Sequence, residues 1–380
     1  MIQDSNKSTL TFKKKLLSRR FKYGLKTNLS YTETKNHHIH QVQHKIISGQ
    51  YKLASRSCPV CTKSDFTVIA EIDRHSIPKS SVLCTYCGLM QTNPVPRDSD
   101  FKDYYENHYR YIYGKFRRSS LEDHIENFNK NLRVGRGPLI YQLVTQQLEL
   151  KRARILDIGC GTGSMVKIFT DHGHDCLGID YDNDFLEYGI SIGLNLRNCS
   201  IESLIHDEPF DLIIMAQSLE HDPNPNRTLE IVSKLLKRNG HLFVTVPDVR
   251  YVTMPESRYR RIRNLFGSIS FPHVFVFSLQ SLMNLLGKHL FEIKTLTDHE
   301  HGNSLGDGHL AVLCSKNNNR GFDLISDYEE VKDLLFSIEK TRYFVITYWY
   351  DEFREHSYNI RLKLGLTSLS TKMFKSHPPH

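Results

Sequence analysis

A glycine-rich turn between an apolar strand and a helix constrains this chain more than any other feature. Arg154–Ile158 has the β-branched, apolar character of a short buried strand, and Ser164–His172 has the apolar spacing of a helix. Between them lies Gly159-Cys160-Gly161-Thr162-Gly163. Glycines at such a turn let the backbone reverse sharply and let a ligand approach the main chain closely. The turn therefore predicts the first strand–helix unit of a ligand-binding sheet.

The same alternation of apolar runs and helical patterns continues through residues 121–315. Strands are predicted at 175–179, 210–215 and 241–246, and a helix is predicted at 228–237. Strands that alternate with helices predict an α/β fold with a doubly wound, Rossmann-like sheet. Right-handed crossovers then place the loops that follow the strands along one edge of that sheet.

Two acidic residues near the turn indicate its ligand. The glycines are spaced G-x-G-x-G, whereas a pyrophosphate-binding loop has G-x-G-x-x-G. Asp157 lies two residues before the first glycine, where a carboxylate suits an ammonium group better than a diphosphate. Asp180 ends the second strand, 21 residues after Gly159, where it can accept hydrogen bonds from both ribose hydroxyls. S-adenosylmethionine has an amino-acid end, a ribose and no phosphate, and it is the predicted cofactor.

Residues 153–247 resemble the class I S-adenosylmethionine-dependent methyltransferases, in particular a subgroup with Leu-Glu-His after the fourth strand, here Leu219-Glu220-His221. The resemblance implies that the glycine turn and Asp157 hold the methionine end, that Asp180 holds the ribose, and that residues 199–201 lie near the adenine. The alternative is an inactive homologue in which the glycines only make a tight turn. The residues expected to bind the cofactor are Asp157, Gly159, Cys160, Gly161, Gly163, Asp180, Tyr181, Cys199, Ser200, Ile201 and Gln217.

Two histidines and a glutamate are the candidate catalytic residues. His221 follows the fourth strand, and a neutral imidazole there can take a proton from the acceptor as the new bond forms. Glu220 is expected to orient His221 or to contact the cofactor. His273 is expected to face the substrate. The alternatives are that His221 and Asp222 cap the following helix and that His273 is a buried histidine with satisfied hydrogen bonds.

Two cysteine pairs precede the predicted sheet: Cys58 with Cys61, and Cys84 with Cys87. Each CxxC turn can place two thiolates on one tetrahedral zinc ion, and a site with four sulfurs is closed and therefore structural. The alternative is a redox pair. A disulfide framework is not expected in a cytosolic chain of this length.

The cysteine pairs, residues 88–94 and the tyrosines at 104, 105 and 109 resemble the zinc-binding front end of methyltransferases from sugar and cell-surface glycan pathways. The resemblance implies a sugar, nucleotide sugar or glycan as acceptor. Members that methylate carbon have a tyrosine before Glu-His and a large C-terminal domain. This chain has Ser218 at the position of that tyrosine, and only 65 residues follow position 315. Both differences favour methylation of oxygen. Tyr105 and Tyr109 are expected either to form a substrate lid or to pack under the zinc module.

The net charge of +8 comes from residues 1–50, where ten Lys and Arg face only two acidic residues. The remaining chain is neutral, so nucleic acid is disfavoured as a partner. The first 50 residues are predicted to be a flexible basic tail. The alternative is an amphipathic helix that would dock on an anionic membrane surface or an acidic partner. Its apolar side would consist of Phe12, Leu16, Leu17, Phe21 and Leu25.

The sequence thus predicts four regions: a basic tail at 1–50, a zinc module at 51–120, a methyltransferase domain at 121–315 and a helical extension at 316–380. Neither a secretory leader pattern nor an apolar run of ~20 residues is present, so a cytoplasmic location is expected, with the inner membrane surface as an alternative. Aromatic residues at 343–350 are expected to pack on the core or to form a dimer face. The competing functions are an RNA or protein methyltransferase and a non-catalytic scaffold.

Overall fold

The computed structural model of the chain describes residues 10–17, 21–24, 32–113, 121–133, 135–249, 269–297, 308–316 and 322–343. Among the helices in these ranges, none combines the length and apolar character that a membrane span requires.

The described residues up to position 113 surround the cysteine pairs. In chain order their elements are β1 (Thr11–Lys14), α1 (Glu33–Ile47), β2 (Leu53–Ala54), β3 (Asp65–Ile72), β4 (Pro78–Cys84), β5 (Met90–Thr92), β6 (Val95–Pro96), α2 (Asp98–Tyr104), a π-helical turn (Tyr105–Tyr109) and α3 (Arg110–Tyr113).

The following residues alternate strands and helices as the sequence predicts. Their elements are α4 (Leu121–Arg133), α5 (Arg136–Gln147), β7 (Arg154–Ile158), α6 (Ser164–Asp171), β8 (Asp175–Asp180), α7 (Asn183–Ser191), β9 (Leu196–Asn198), β10 (Phe210–Ala216), α8 (Pro225–Leu235), β11 (Leu236–Pro247), β12 (Phe275–Val276), α9 (Leu279–Lys288), β13 (Phe291–Thr297), β14 (His309–Lys316) and α10 (Tyr328–Tyr343). Short 3-10 turns occupy Ile201–Leu204 and Leu219–His221.

The main sheet has the strand order β13-β14-β11-β10-β7-β8-β9. Pairs from β11 through β9 are parallel, and the order reverses between β7 and β10. Ligands of open α/β sheets bind in the crevice at such a reversal, outside the carboxyl ends of the strands. The predicted α/β, Rossmann-like fold is confirmed, with one feature that the alternating pattern did not indicate: β14 runs antiparallel to both neighbours. Its first residue, His309, consequently pairs with Pro247 at the carboxyl edge of the sheet.

Both faces of the main sheet are covered. Along β10, Leu212 and Ile214 belong to one apolar cluster, whereas Ile213 and Met215 belong to another on the opposite face. Successive side chains of a strand point to opposite faces, so a strand buried on both sides must be apolar throughout. This requirement explains the unbroken apolar run that made β10 predictable.

A second, five-stranded sheet has the order β1-β3-β4-β5-β12. Its last strand is contributed by residues 275–276, which follow the main-sheet strand β11 in the chain. The cysteine-rich residues and the α/β domain therefore share a sheet. The sequence predicts a domain boundary at residue 120, but the second sheet contains strands from both sides of that residue.

The described parts of residues 1–50 are folded against the body, which corrects the expectation of a flexible tail. Residues 11–14 form a strand parallel to β3, so the alternative of an amphipathic helix is wrong for these residues. Leu17 and Phe21 are buried, as are Ile39 and Val42 on α1. Pairing with β3 gives residues 11–14 backbone hydrogen bonds although all four residues stay exposed, an option that helical periodicity alone does not reveal. Leu25 and residues 1–9 lie outside the described residues.

Helix α10 confirms the predicted helical extension for residues 328–343; the part of the extension beyond 343, with the aromatic residues at 344–350, lies outside the described residues. Val331 and Leu335 of α10 join an apolar cluster with Leu17 and Phe21. The two ends of the described chain thus pack together over the second sheet.

Candidate functional site

The glycine turn after β7 adopts a conformation that other residues rarely take. The φ angles are +79° at Gly159, +53° at Gly161 and +82° at Gly163. A Cβ on Gly161 would meet nothing within 4 Å, whereas one on Gly159 would lie 3.0 Å from the Cβ of Ser218. Gly161 therefore leaves an open space beside the main chain, and Gly159 lets the turn approach the loop after β10.

Asp180 braces this turn from the end of β8. Its Oδ2 accepts a hydrogen bond from the Gly161 backbone N–H, and its Oδ1 accepts one from the Asp182 N–H, both at 2.9 Å. Burial raises the pKa of its carboxyl group, and the backbone donors oppose that rise. Each carboxylate oxygen has a second lone pair that can accept a ligand hydroxyl.

Asp157 lies at the base of the crevice and is 4% exposed. Burial raises the pKa of its carboxyl group to about 7, and the nearby Asp180 contributes to the rise. A buried carboxyl group in this setting gains from a cationic partner, because the ionised form is otherwise disfavoured.

The other predicted cofactor residues occupy varied positions. A Cβ on Gly178 of β8 would lie only 2.8 Å from the Cys160 sulfur. The Cys160 side chain therefore packs in the core between the glycine turn and β8. Tyr181 is 72% exposed, and Ile201 is buried. Cys199 and Ser200 are half-buried. Gln217 has a φ of +60°, a strained value for a residue other than glycine.

A cluster is formed by Glu220, His221 and His273, although the two histidines lie 52 positions apart in the sequence. His221 Nε2 lies 3.9 Å from Glu220 Oε1, and the two imidazole rings are 5.0 Å apart at an angle of 73°. His221 Nδ1 is 3.0 Å from the Pro272 carbonyl oxygen and 3.0 Å from the Tyr105 hydroxyl. Because a carbonyl oxygen only accepts, the Pro272 contact requires a proton on Nδ1. The lone pair of His221 is then on Nε2.

Burial controls the charge of this cluster. It raises the pKa of Glu220 to about 8 and lowers the pKa of His221 to about 4. The pKa of His273 also lies well below its usual value, mainly through burial. Near neutral pH the cluster therefore holds a protonated carboxyl group and two neutral imidazoles. Within the described part of the chain, Glu220 Oε2 and His273 Nδ1 have no hydrogen-bond partner.

The alternative that His221 caps the next helix is not supported by its contacts. The N-cap residue of α8 is Asn224, whose side chain makes no capping hydrogen bond. Asp222 accepts a hydrogen bond from the Asn224 N–H at 2.7 Å and so closes the intervening turn. The imidazole of His221 instead faces Pro272 and Tyr105.

Three tyrosines extend from the histidine cluster. The ring centroids of Tyr105 and Tyr109 are 5.1 Å apart, and those of Tyr109 and Tyr113 are 5.3 Å apart. Tyr105 and Tyr109 are half-buried, and the Tyr105 ring lies 6.2 Å from the imidazole of His221. A substrate lid and packing under the cysteine module both stay predictions for these two residues. Tyr113 continues their four-residue spacing, a signal that could have identified it.

The four cysteines converge. Cys58 and Cys87 have sulfurs 3.5 Å apart, Cys61 and Cys84 have sulfurs 3.4 Å apart, and all four lie within 4.8 Å of one another. Tetrahedral zinc, with bonds of about 2.3 Å, holds its sulfurs about 3.8 Å apart. The closest sulfurs belong to different CxxC turns, which suits a shared ion better than a redox pair within one turn. The donor set therefore fits zinc.

Comparison with known proteins places the α/β part of the chain. Residues 113–296 match the family model described as a methyltransferase domain. The ubiquinone biosynthesis O-methyltransferase of Photobacterium profundum is 32% identical over 98 residues, 24% of this chain and 42% of that protein. The protein of that name from Coxiella burnetii is 30% identical over 114 residues, 28% of this chain and 49% of that protein. The chain thus spans about half the length of these relatives or less.

Solved structures of methyltransferases resemble the chain more distantly. An S-adenosylmethionine-dependent methyltransferase from Mesorhizobium loti has a TM-score of 0.38 and 18% identity, over 49% of this chain and all of that one. The 1,6-didemethyltoxoflavin-N1-methyltransferase of Burkholderia thailandensis has a TM-score of 0.42 and 16% identity, over 63% of this chain and 96% of that one.

Residues 113–296 are thus similar to a methyltransferase domain, and the strand order of the main sheet agrees with the predicted Rossmann-like fold. The segments shared with these relatives make up 24% and 28% of this chain, so they identify no particular protein.

The protonation of Glu220 predicts an unusual dependence of stability on pH. The unfolded chain releases this proton above about pH 4.5, whereas the folded chain keeps it until about pH 8, so the buried group reduces stability as pH rises through that range. Glu220→Gln should therefore raise the free energy of unfolding at pH 8 by roughly 1–3 kcal/mol and have much less effect at pH 5. Urea denaturation at both values measures this. Glu187→Gln, at an exposed position, is the control. An equal effect of Glu220→Gln at both pH values would contradict the prediction.

Proposed function

We propose that this protein transfers a methyl group from S-adenosylmethionine to a hydroxyl oxygen of a small sugar-like acceptor: a sugar, a nucleotide sugar or the end of a glycan. The observation that carries the proposal is the neutral His221, which keeps its lone pair on Nε2 and lies on the turn after β10, next to the reversal of the strand order. The matched relatives are named for O-methylation, which supports oxygen as the acceptor atom. Support for a sugar comes from the cysteine module and its likeness to glycan-pathway methyltransferases.

The crevice offers complementary groups for each part of the cofactor. Asp157 would pair with the ammonium group, and the open space beside Gly161 would admit the methionine end. Asp180 would accept hydrogen bonds from the ribose hydroxyls through the lone pairs that the backbone donors leave free. When bound, S-adenosylmethionine supplies a methyl group already activated on a positively charged sulfur.

The chain's own residues orient the acceptor and move one proton. The acceptor hydroxyl would lie between the methyl group and His221, whose Nε2 takes the hydroxyl proton as oxygen attacks the methyl carbon. The oxygen–carbon bond forms as the carbon–sulfur bond breaks, and the electron pair stays on sulfur. Tyr105 and Tyr109 provide flat rings on which a pyranose can stack. Holding the two reactants in line can contribute ~7–11 kcal/mol of the barrier reduction.

The cysteine cluster is proposed to hold one structural zinc ion through Cys58, Cys61, Cys84 and Cys87. Four thiolates leave no open coordination position, so the ion would stabilise the fold around the site and take no part in methyl transfer.

Methyl transfer is tested with S-adenosylmethionine carrying a labelled methyl group and a cell extract separated by size after incubation. We expect label in the small-molecule fraction. Asp180→Ala should lose this signal, because the turn loses its brace and the ribose loses its acceptor. Asp175→Ala, at the exposed opposite end of the same strand, should keep it. Label in RNA or protein would overturn the choice of acceptor, and no label together with no cofactor binding would leave only a scaffold.

Cofactor binding should weaken in acid. Only the ionised form of Asp157 can pair with an ammonium group, and its pKa is raised to about 7. The affinity for S-adenosylmethionine should therefore be about tenfold lower at pH 6 than at pH 8. Calorimetric titrations at the two values measure this difference. Asp157→Asn should bind weakly at both, and a wild-type affinity that does not change with pH would contradict the assignment.

The zinc proposal predicts about one zinc ion per chain, measured by elemental mass spectrometry. Cys84→Ser should lose the metal and lower the melting temperature, because the buried donors would no longer be held together. Cys199→Ser lies outside the cluster, at a half-buried position, and should retain it. A purified wild-type chain with no bound metal after refolding in zinc would refute the proposal.

A further inference from the structure

Residues 269–274, called here the histidine segment, lie between the second sheet and the Leu219–His221 turn. On one side the Val274 N–H donates to the Glu220 carbonyl oxygen at 2.8 Å, and Pro272 accepts from His221. On the other side the Thr92 N–H donates to the Val274 carbonyl oxygen at 2.8 Å. The position of His273 and the proton on His221 therefore depend on how the second sheet holds this segment.

Two buried charged residues of the second sheet grip the histidine segment. Lys79 on β4 is 5% exposed, and its ammonium group donates to the carbonyl oxygens of Ser270 at 2.6 Å and His273 at 2.7 Å. Asp73, which follows β3, is fully buried, and its Oδ2 accepts from the Phe271 N–H at 3.0 Å. Together they fix three backbone groups on the two sides of Pro272.

Asp73 is itself held rigidly. Its Oδ1 accepts from the N–H groups of His75 at 2.8 Å and Ile77 at 2.9 Å, which shapes the turn between β3 and β4. Burying an ammonium and a carboxylate is costly unless each is bonded and the opposite charge is near. A turn between two strands forms without buried charged residues. Apolar side chains at positions 73 and 79 would fill the core without the free-energy cost of burying charge. Apart from a 3.4 Å hydrogen bond that Asp73 Oδ2 accepts from the Tyr113 hydroxyl, these bonds are directed at the histidine segment or at Asp73's own turn.

We propose that Asp73 and Lys79 are positioning residues for methyl transfer. They hold the Pro272 carbonyl where it keeps the proton of His221 on Nδ1, and so they keep the Nε2 lone pair available to the acceptor. The cysteine-rich sheet thus serves the reaction itself, in addition to any docking role. The effect on rate rests on the proposed function, whereas the effect on the proton of His221 does not.

The test compares Lys79→Met with wild type in protein carrying 15N-labelled histidine. Long-range 1H–15N spectra report which nitrogen of His221 holds the proton, and His221→Gln assigns the signal. Wild type should show the proton on Nδ1. In Lys79→Met the Nδ1–H fraction should fall, and transfer of label into the small-molecule fraction of the extract should slow by at least about tenfold.

Affinity for S-adenosylmethionine and zinc content should change by less than about twofold, since neither site touches Lys79.

Three further variants separate positioning from stability. Lys79→Met alone leaves the Asp73 carboxyl group buried without its cation, so the melting temperature should fall. Asp73→Asn combined with Lys79→Met removes both charges and should restore the melting temperature. It should restore neither the Nδ1–H fraction nor the rate, because the two hydrogen bonds from Lys79 to the histidine segment stay lost. Thr92→Val removes only the 3.2 Å bond from the Thr92 hydroxyl to the His273 carbonyl and should shift the proton less, in the same direction. Lys52→Met, at an exposed site of the same sequence region, should match wild type.

Two results would overturn the proposal. One is a folded Lys79→Met protein with the wild-type proton position on His221. The other is a double variant that regains the wild-type proton position and rate along with stability, since the two residues would then be structural only. A wild-type protein that transfers no label but loses the Nδ1 proton in Lys79→Met would refute the proposed function and keep the positioning role.

Discussion

The backbone contacts of residues 269–276 join the two sheets of this protein, and the geometry of the candidate site depends on them. Phe275 and Val276 add a strand to the cysteine-rich sheet, while the Val274 N–H bonds to the carbonyl of Glu220 on the loop after β10. A peptide group has one donor and one strong acceptor, so a segment bonded on both sides cannot shift without breaking bonds to one sheet or the other. His221 and His273 are thereby held by elements that lie far apart in sequence.

The features that the sequence predicted share a local cause. The glycine turn, Asp180 and the strands around them follow from residues that are neighbours in the chain, and the four cysteines follow from ligand spacing alone. The features that it missed depend on pairing between distant segments. Strand β1 forms because β3 has a free edge, and β14 runs antiparallel between β11 and β13. Lys79 belongs to this second kind, since nothing around it in sequence indicates that its amine meets the carbonyls of residues 270 and 273.

Buried ionisable groups are concentrated where the two sheets meet the crevice. Asp157, Glu220, His221 and Lys79 all have pKa values shifted toward the neutral form, and burial is the largest cause for each. Such groups cost folding free energy, and the extensive apolar clusters on both faces of the main sheet supply the compensation. A site of this kind also keeps charge low until ligands arrive. An ammonium group near Asp157, or a proton that leaves an acceptor hydroxyl, then interacts strongly with these buried groups, because burial limits the screening of charge by water.

The arrangement argues against treating the cysteine-rich residues as a separate docking module. A docking module would meet the catalytic domain through an exchangeable surface, and its loss would change partner choice more than chemistry. Here the Pro59 carbonyl, between Cys58 and Cys61, accepts hydrogen bonds from Asn226 on α8 and Lys288 on α9 at 3.0 and 2.6 Å. The Arg56 guanidinium donates to the Pro223 carbonyl on the loop that follows His221. A change in the cysteine cluster would therefore move the loop that carries His221, so loss of the proposed zinc ion should also lower the proposed methyl transfer, even though a site with four sulfurs is closed to substrate.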